Sequence, residues 1–135
     1  MVPRKIAHIG IAVKNLDESV RFYSEVLGLE MEDSEQAGEL KAAFLKIGET
    51  HIELLQSTTE EGVIAKFISK KGEGVHHIAF EVEDIGQAIS DLKGMDVALI
   101  DNKPRDGAHG SQVAFLHPKS SYGVLIELVQ PGRSK

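Results

Sequence analysis

The chain repeats itself, and that constrains it more than any other feature. His8-Ile9-Gly10-Ile11-Ala12-Val13 recurs as His77-Ile78-Ala79-Phe80-Glu81-Val82, 69 residues further on. Self-similarity at a long offset means that one structural unit is built twice, so any fold must accommodate two like modules. The match runs past the strand, with Asn15 answering Asp84, Leu16 answering Ile85, Val20 answering Ile89 and Tyr23 answering Leu92. Asn15 is followed three residues on by Glu18, and Asp84 by Gln87. This is the spacing of a capping box, in which the N-cap side chain bonds an orphan backbone N–H. Each copy therefore opens as a strand followed by a helix.

The copies close alike as well. Ile52-Glu53-Leu54-Leu55-Gln56 matches Ile126-Glu127-Leu128-Val129-Gln130 at an offset of 74 residues, so the second copy carries an insertion. Residues 42–47 and 113–116 read as the preceding strands. The turn after the first is Gly48-Glu49; the turn after the second is His117-Pro118-Lys119-Ser120-Ser121-Tyr122-Gly123, which absorbs the extra residues. Between the copies, Ile64, Phe67 and Ile68 have helical spacing within 60–71, and Gly72-Glu73-Gly74 ends that helix. The expected organisation is one structural domain over 1–135, with modules at about 1–58 and 75–135 and a helical linker at about 59–74. A lone module of that size buries too little surface to be stable, so the two should associate.

Strand parity then selects residues. Ile9, Ile11 and Val13 share one face of the first strand and suit packing on the helix, leaving His8, Gly10 and Ala12 on the other. The second copy divides the same way, with His77, Ala79 and Glu81 opposite Ile78, Phe80 and Val82. Glu53 and Glu127 stand mid-strand among aliphatic neighbours, where an ionised carboxylate is costly unless it is paired or ligated. Taken together, His8, Glu53, His77 and Glu127 form a candidate metal set. Two imidazoles and two carboxylates suit a divalent ion such as Co, Mn, Zn, Ni or Fe, with positions left for substrate oxygens. The expected fold class is α+β: two tandem βαβββ modules forming a curved mixed sheet around a metal cavity, with helices on the outer side.

Composition narrows the chemistry. There is no cysteine, which removes disulfides, thiolate ligands and thiol nucleophiles and leaves histidine and carboxylates to do the work. Fifteen basic against 21 acidic residues give a net charge of −6, which argues against nucleic acid as a partner. No apolar run approaches the roughly 20 residues of a membrane span, and the first residues lack the apolar centre of a signal peptide. The expectation is a cytoplasmic protein that does not engage membranes.

These segments resemble the vicinal oxygen chelate superfamily, which includes glyoxalase I. The likeness is carried by the opening strand at His8, by Ile52-Glu53-Leu54, by His76-His77-Ile78-Ala79 and by Gly123-Val124-Leu125-Ile126-Glu127-Leu128. More narrowly, Gly107-Ala108-His109-Gly110 and Phe115-Leu116-His117-Pro118-Lys119-Ser120 resemble the methylmalonyl-CoA epimerase family. The superfamily's ligand pattern falls on His8, Glu53, His77 and Glu127, although some epimerases have Gln at the Glu53 position. The resemblance implies epimerisation at C2 of an acyl-CoA through a metal-chelated enolate, a homodimer, and Glu127 as a base as well as a ligand.

Inversion at C2 needs a second acid–base group, and here the sequence departs from the family. The second carboxylate that some members supply aligns with Lys41, two residues after Glu39. Lys41 and His51, the latter on the face of Glu53, are the weak substitutes. His76 points away from His77 and reads as structural. Lys119, Ser120 and Ser121, together with His109 and Gly110, are the expected substrate-binding positions, while Lys66, Lys70, Lys71, Lys103 and Arg105 are local positive charges that could meet CoA phosphates. Two rival readings are glyoxalase I and a non-catalytic binding module of the same superfamily. Glyoxalases usually carry an Asp-Pro-Asp-Gly type turn before the last strand, which this chain lacks, and binding modules commonly lack the full ligand set.

Overall fold

A computed structural model describes residues 1–132. It is an α+β fold with eight strands and three helices among those residues: β1 Lys5–Ala12, α1 Leu16–Arg21, β2 Glu30–Ala37, β3 Leu40–Ile47, β4 Thr50–Ser57, α2 Val63–Lys71, β5 Gly74–Glu81, α3 Ile85–Gly94, β6 Arg105–Asp106, β7 Gln112–Leu116 and β8 Ile126–Gln130. No helix among them is long and apolar enough to cross a membrane. The chain forms two compact units, one of residues 8–76 and the other of residues 1–7 together with those from His77 onward. The helix α2 thus belongs to the first unit, and the first three residues of β1 to the second.

In the first unit the strand order is β2-β3-β4-β1, with β1 parallel to β4 and the other pairs antiparallel. The Asn15 carboxamide accepts the Glu18 backbone N–H at 3.0 Å and starts α1. That helix runs for six residues and continues into a π-helical turn over Phe22–Val26. Val13, Leu16, Ala43, Leu45 and Leu54 form the buried core, with Ile11, Val20 and Ile52 packed on it. The side chains on the α1 side are therefore those that parity assigned there. Leu45 and Leu54 are fully buried, each contributing about 1.5–3 kcal/mol relative to exposure. Gly72, at φ 80°, ends α2 in a backbone region that only glycine enters without strain.

The second unit has the order β5-β8-β7-β6, with β5 parallel to β8. Asp84 accepts the Gln87 N–H at 3.0 Å to start α3, a regular ten-residue helix. Val82, Ile85, Ala88, Ile89, Leu92, Ala114, Leu116 and Leu128 make one core between α3 and the strands. Its N-terminal segment is tied in by Arg4, whose N–H donates to the Glu81 carbonyl at 2.8 Å and whose guanidinium meets the Glu81 carboxylate at 3.1 Å. Gly107 lies so close to Val113 and Ser111 that an added Cβ would sit 2.6 Å from the valine. The loop before β7 therefore admits no side chain there.

Candidate active site

Each unit brings one histidine and one carboxylate together on the sheet face turned away from its helix. In the first, β1 and β4 run parallel with His8 beside His51 and Gly10 beside Glu53. This register sets the His8 Nε2 3.6 Å from Glu53 Oε1. In the second, Ala79 lies beside Glu127, and His77 Nε2 stands 3.1 Å from Glu127 Oε1. Both carboxylates have a phenylalanine directly opposite on the neighbouring strand, Phe44 facing Glu53 and Phe115 facing Glu127. Gly10 and Ala79, the small residues next in parity to the histidines, are buried.

Burial makes these pairs chemically demanding. Glu53, His77 and Glu127 are the buried ionisable residues of the described chain, each at most 9% exposed. A carboxylate withdrawn from water is stable only beside a compensating charge or donor. A divalent cation bound by imidazole nitrogen and carboxylate oxygen is one such charge, and this donor set fits a borderline first-row ion. Around His77 the support is layered. Its ring meets Phe115 edge to face at 5.8 Å, and the Arg105 guanidinium lies 5.4 Å over the Phe115 ring. Arg105 is held by Asp101 at 3.3 Å, and the Asp101 carboxylate also accepts the Phe115 N–H at 2.9 Å. Ala79, Val113 and Val129 form an apolar cluster on this side of the second unit.

The substitutes for a second base are placed elsewhere. Lys41 pairs with Gln56 and shares parity with the core residues Ala43 and Leu45, so it lies on the α1 face, beside Asp17 and Arg21 in an open cleft. The residue of β3 on the face of Glu53 at that level is Ala42. Reading Lys41 toward the site was out by one residue, and in a strand one residue changes the face. His51 does share the face of His8, but its Nε2 is 2.7 Å from Glu32 Oε1. That hydrogen bond, reinforced by the nearby His51 and Lys46 charges, holds the Glu32 carboxyl below its ordinary value of 4.5. His76 packs edge to face on Phe67 of α2 at 4.9 Å, a structural contact.

The inserted turn before β8 is built on its own hydroxyls. Ser120 Oγ accepts the Ala98 N–H at 2.8 Å, and the Ser121 hydroxyl donates to the Val124 carbonyl at 2.6 Å. Ser121 has thereby committed its one donor, whereas Ser120 keeps its proton for another acceptor. The Lys119 N–H donates to His117 Nδ1 at 3.1 Å. His109 and Gly110 form a tight turn at φ 57° and 72°, exposed at the tip of the loop before β7. Lys66, Lys70, Lys71, Lys103 and Arg105 are local cations at the surface, with Lys71 also lying over the Phe67 ring at 5.8 Å. Sequence reading passed over the two phenylalanines and the strand β2. The first were discoverable by continuing the parity count onto β3 and β7. The second is uniformly exposed and has no apolar alternation to reveal it.

Known proteins supply the context. The profile of the Glyoxalase/Bleomycin resistance protein/Dioxygenase superfamily matches residues 7–115. A methylmalonyl-CoA epimerase of Dictyostelium discoideum is 40% identical over 127 residues, covering 92% of this chain and 76% of the relative. An ethylmalonyl-CoA/methylmalonyl-CoA epimerase of Cereibacter sphaeroides is 38% identical over 131 residues, covering 93% and 97%. A methylmalonyl-CoA epimerase of Streptomyces coelicolor of solved structure, a single-residue variant in complex with 2-nitronate-propionyl-CoA, is 37% identical. It superposes with a TM-score of 0.92 over 99% of both chains. With repeated modules, repeated His–carboxylate pairs and likeness over nearly its full length, the chain belongs to the methylmalonyl-CoA epimerase family of that superfamily.

Proposed function

We propose that this chain interconverts the C2 epimers of methylmalonyl-CoA, with His8, Glu53, His77 and Glu127 together holding one divalent cation. The observation that carries the reading is the paired recurrence of an imidazole beside a buried carboxylate, at equivalent strand positions, in a chain of the epimerase family. C2 lies between a thioester and a carboxylate, so its proton is acidic enough to be removed once the resulting charge is stabilised. When bound, the cation would act as a Lewis acid on the oxygens over which that charge spreads.

The residues divide the remaining tasks. Glu127, buried beside His77, takes the proton from C2 as the C–H electron pair passes into the thioester. Phe44 and Phe115 keep the flank of each carboxylate dry, which strengthens every charge interaction there. The Ser120 hydroxyl and the Lys119 ammonium are suited to the substrate's free carboxylate, and His109 and Gly110 line its approach. The acyl-CoA is the small-molecule partner, and we expect a homodimer working in the cytoplasm, the first by resemblance and the second from sequence alone. Light scattering tests the dimer against the 14.7 kDa chain mass.

Metal-loaded protein should epimerise methylmalonyl-CoA and incorporate deuterium at C2 in D₂O. Absence of exchange above background, alongside turnover of the glutathione hemithioacetal of methylglyoxal, would replace this reading with glyoxalase chemistry. Chelation followed by dialysis should abolish epimerisation, and re-adding a first-row divalent ion should restore it. Substoichiometric metal in the purified protein together with no turnover would instead favour a binding module.

A further inference from the structure

Resting on that reading, we propose that Arg105 is a positioning residue for the His77–Glu127 pair: its guanidinium sets the plane of the Phe115 ring, and that ring sets the orientation of the His77 imidazole. Asp101, Arg105, Phe115, His77 and Glu127 all belong to the second unit, so their relation is fixed within it. Backbone pairing puts Arg105 on the face of the site. Arg105 pairs with Val113, two residues before Phe115 on β7, and Phe115 pairs with Glu127. Paired residues point the same way and alternate residues of a strand share a face, so Arg105, Val113, Phe115 and Glu127 stand together. A diagonal neighbour lies about 7–8 Å away, within reach of a long side chain. The guanidinium does reach, lying 5.4 Å over the Phe115 ring.

Torsional freedom is what gives this contact its effect. Phe115 is half-buried, and the χ2 torsions of Phe and His are broad and two-fold, so no staggered well fixes either ring plane. A neighbour must do so. The guanidinium holds Phe115 by its face, and the ring meets His77 edge to face at 5.8 Å, with 81° between the planes. Rotation of Phe115 would break that perpendicular contact. A turned imidazole would in turn aim its Nε2 away from Glu127 Oε1, now 3.1 Å distant.

Asp101 secures the outer end of this row. Its Oδ2 accepts the Phe115 N–H at 2.9 Å and holds Arg105 at 3.3 Å. The Ile100 and Asp101 N–H groups donate to the Phe115 carbonyl at 2.9 and 3.2 Å. The Phe115 backbone is thus held on both sides, and ring rotation is the freedom left for Arg105 to remove. The Arg105 side chain is 58% exposed, so a substrate anion could also reach it, and the test separates that role from positioning.

Arg105→Met keeps the apolar stem and loses the charge. It should lower kcat for epimerisation by about fivefold, the scale of a cation–π contact at a partly exposed site, and leave KM unchanged. Arg105→Lys, whose ammonium also suits a ring face, should recover most of that loss. In a Phe115→Leu background Arg105→Met should add nothing further, since a cycle of the two substitutions isolates their coupling. Two readouts do not use turnover. In the metal-free protein at fixed pH, the NMR resonances of the His77 ring should be displaced by Arg105→Met and restored by Arg105→Lys, and titration with Co²⁺ should show a weakened affinity in the former variant. A raised KM at unchanged kcat would make Arg105 a substrate contact and overturn the proposal. So would unmoved His77 resonances, or a full effect of Arg105→Met without the Phe115 ring; should Phe115→Leu fail to fold, the Arg105→Met and Arg105→Lys spectra decide. Failure of the wild-type protein to epimerise would instead remove the epimerase reading, while the spectra and the Co²⁺ titration still decide the positioning role.

Discussion

In the second module His77 and Glu127 meet at 3.1 Å with side chains 5% and 9% exposed, whereas in the first His8 and Glu53 stand 3.6 Å apart at 15% and 12%. The helices differ in the same sense. The regular ten-residue α3 buries four side chains, while α1 lasts six residues and buries one before passing into a π-helical turn. The strands differ in the opposite sense: β2 is eight residues long and β6 two. The two copies have therefore diverged in geometry while keeping the same pair of residue types. The second module supplies the tight, dry pair, and the first supplies the looser pair and a long exposed acidic strand.

If the tight pair dominates, Glu127→Gln should lower epimerisation by about 10³-fold, the range of a lost acid–base group. A steady-state assay with near-wild-type kcat would remove Glu127 from the chemistry. Core truncation should discriminate less: Leu128→Ala and Leu54→Ala should each cost about 2–5 kcal/mol in urea unfolding, since both are buried in equivalent cores. A gap of several kcal/mol between them would show that the modules are unequal in packing as well as in the site. Glu53→Gln, which keeps an oxygen ligand but loses the charge, should reduce the rate by no more than about tenfold. A loss as large as that of Glu127→Gln would erase the asymmetry between the two pairs.

Two smaller tests address the helix starts and the strand edge. Asn15→Ala and Asp84→Ala should each cost about 1 kcal/mol, as a lost N-cap does, measurable as a lowered Tm. Glu32 gives the pH dependence. Its folded pKa lies below its ordinary 4.5, so the stability it carries is present in full above that value and lost as pH falls through the depressed one. Because the group is solvent-exposed the effect on unfolding is small, and NMR titration is the suitable measurement. His51→Ala should bring the Glu32 titration back toward 4.5; an unmoved titration would dissociate the two residues.

Much of this was legible because the repeat checks itself. A lone strand histidine says little, but His8 and His77 recur in register, as do Glu53 and Glu127, and the N-caps Asn15 and Asp84 recur three residues before their partners. Parity gave the correct face wherever the register was anchored by the repeat. It failed at Lys41, where an alignment to relatives set the position and a slip of one residue reversed the side chain. β2 escaped for another reason. Its residues, Glu30-Met31-Glu32-Asp33-Ser34-Glu35-Gln36-Ala37, lie at a sheet edge and bury nothing, so no hydrophobic period marks them. The roles of Ser120 and Ser121 depend on which backbone groups lie within reach, and spacing along the chain does not encode that.

The division of the chain inside β1 bears on how this protein can be cut. A gene split at the repeat boundary of the sequence, in the linker before residue 75, would give a second fragment missing residues 1–7, and with them the Arg4 contacts to Glu81 and the 3.2 Å pair between the Met1 amine and Asp91. The fragment that looks like a whole module in the sequence lacks a segment that belongs to its compact unit. A circular permutant that opens the chain between Ala7 and His8 and joins the original ends would instead keep each unit's residues contiguous.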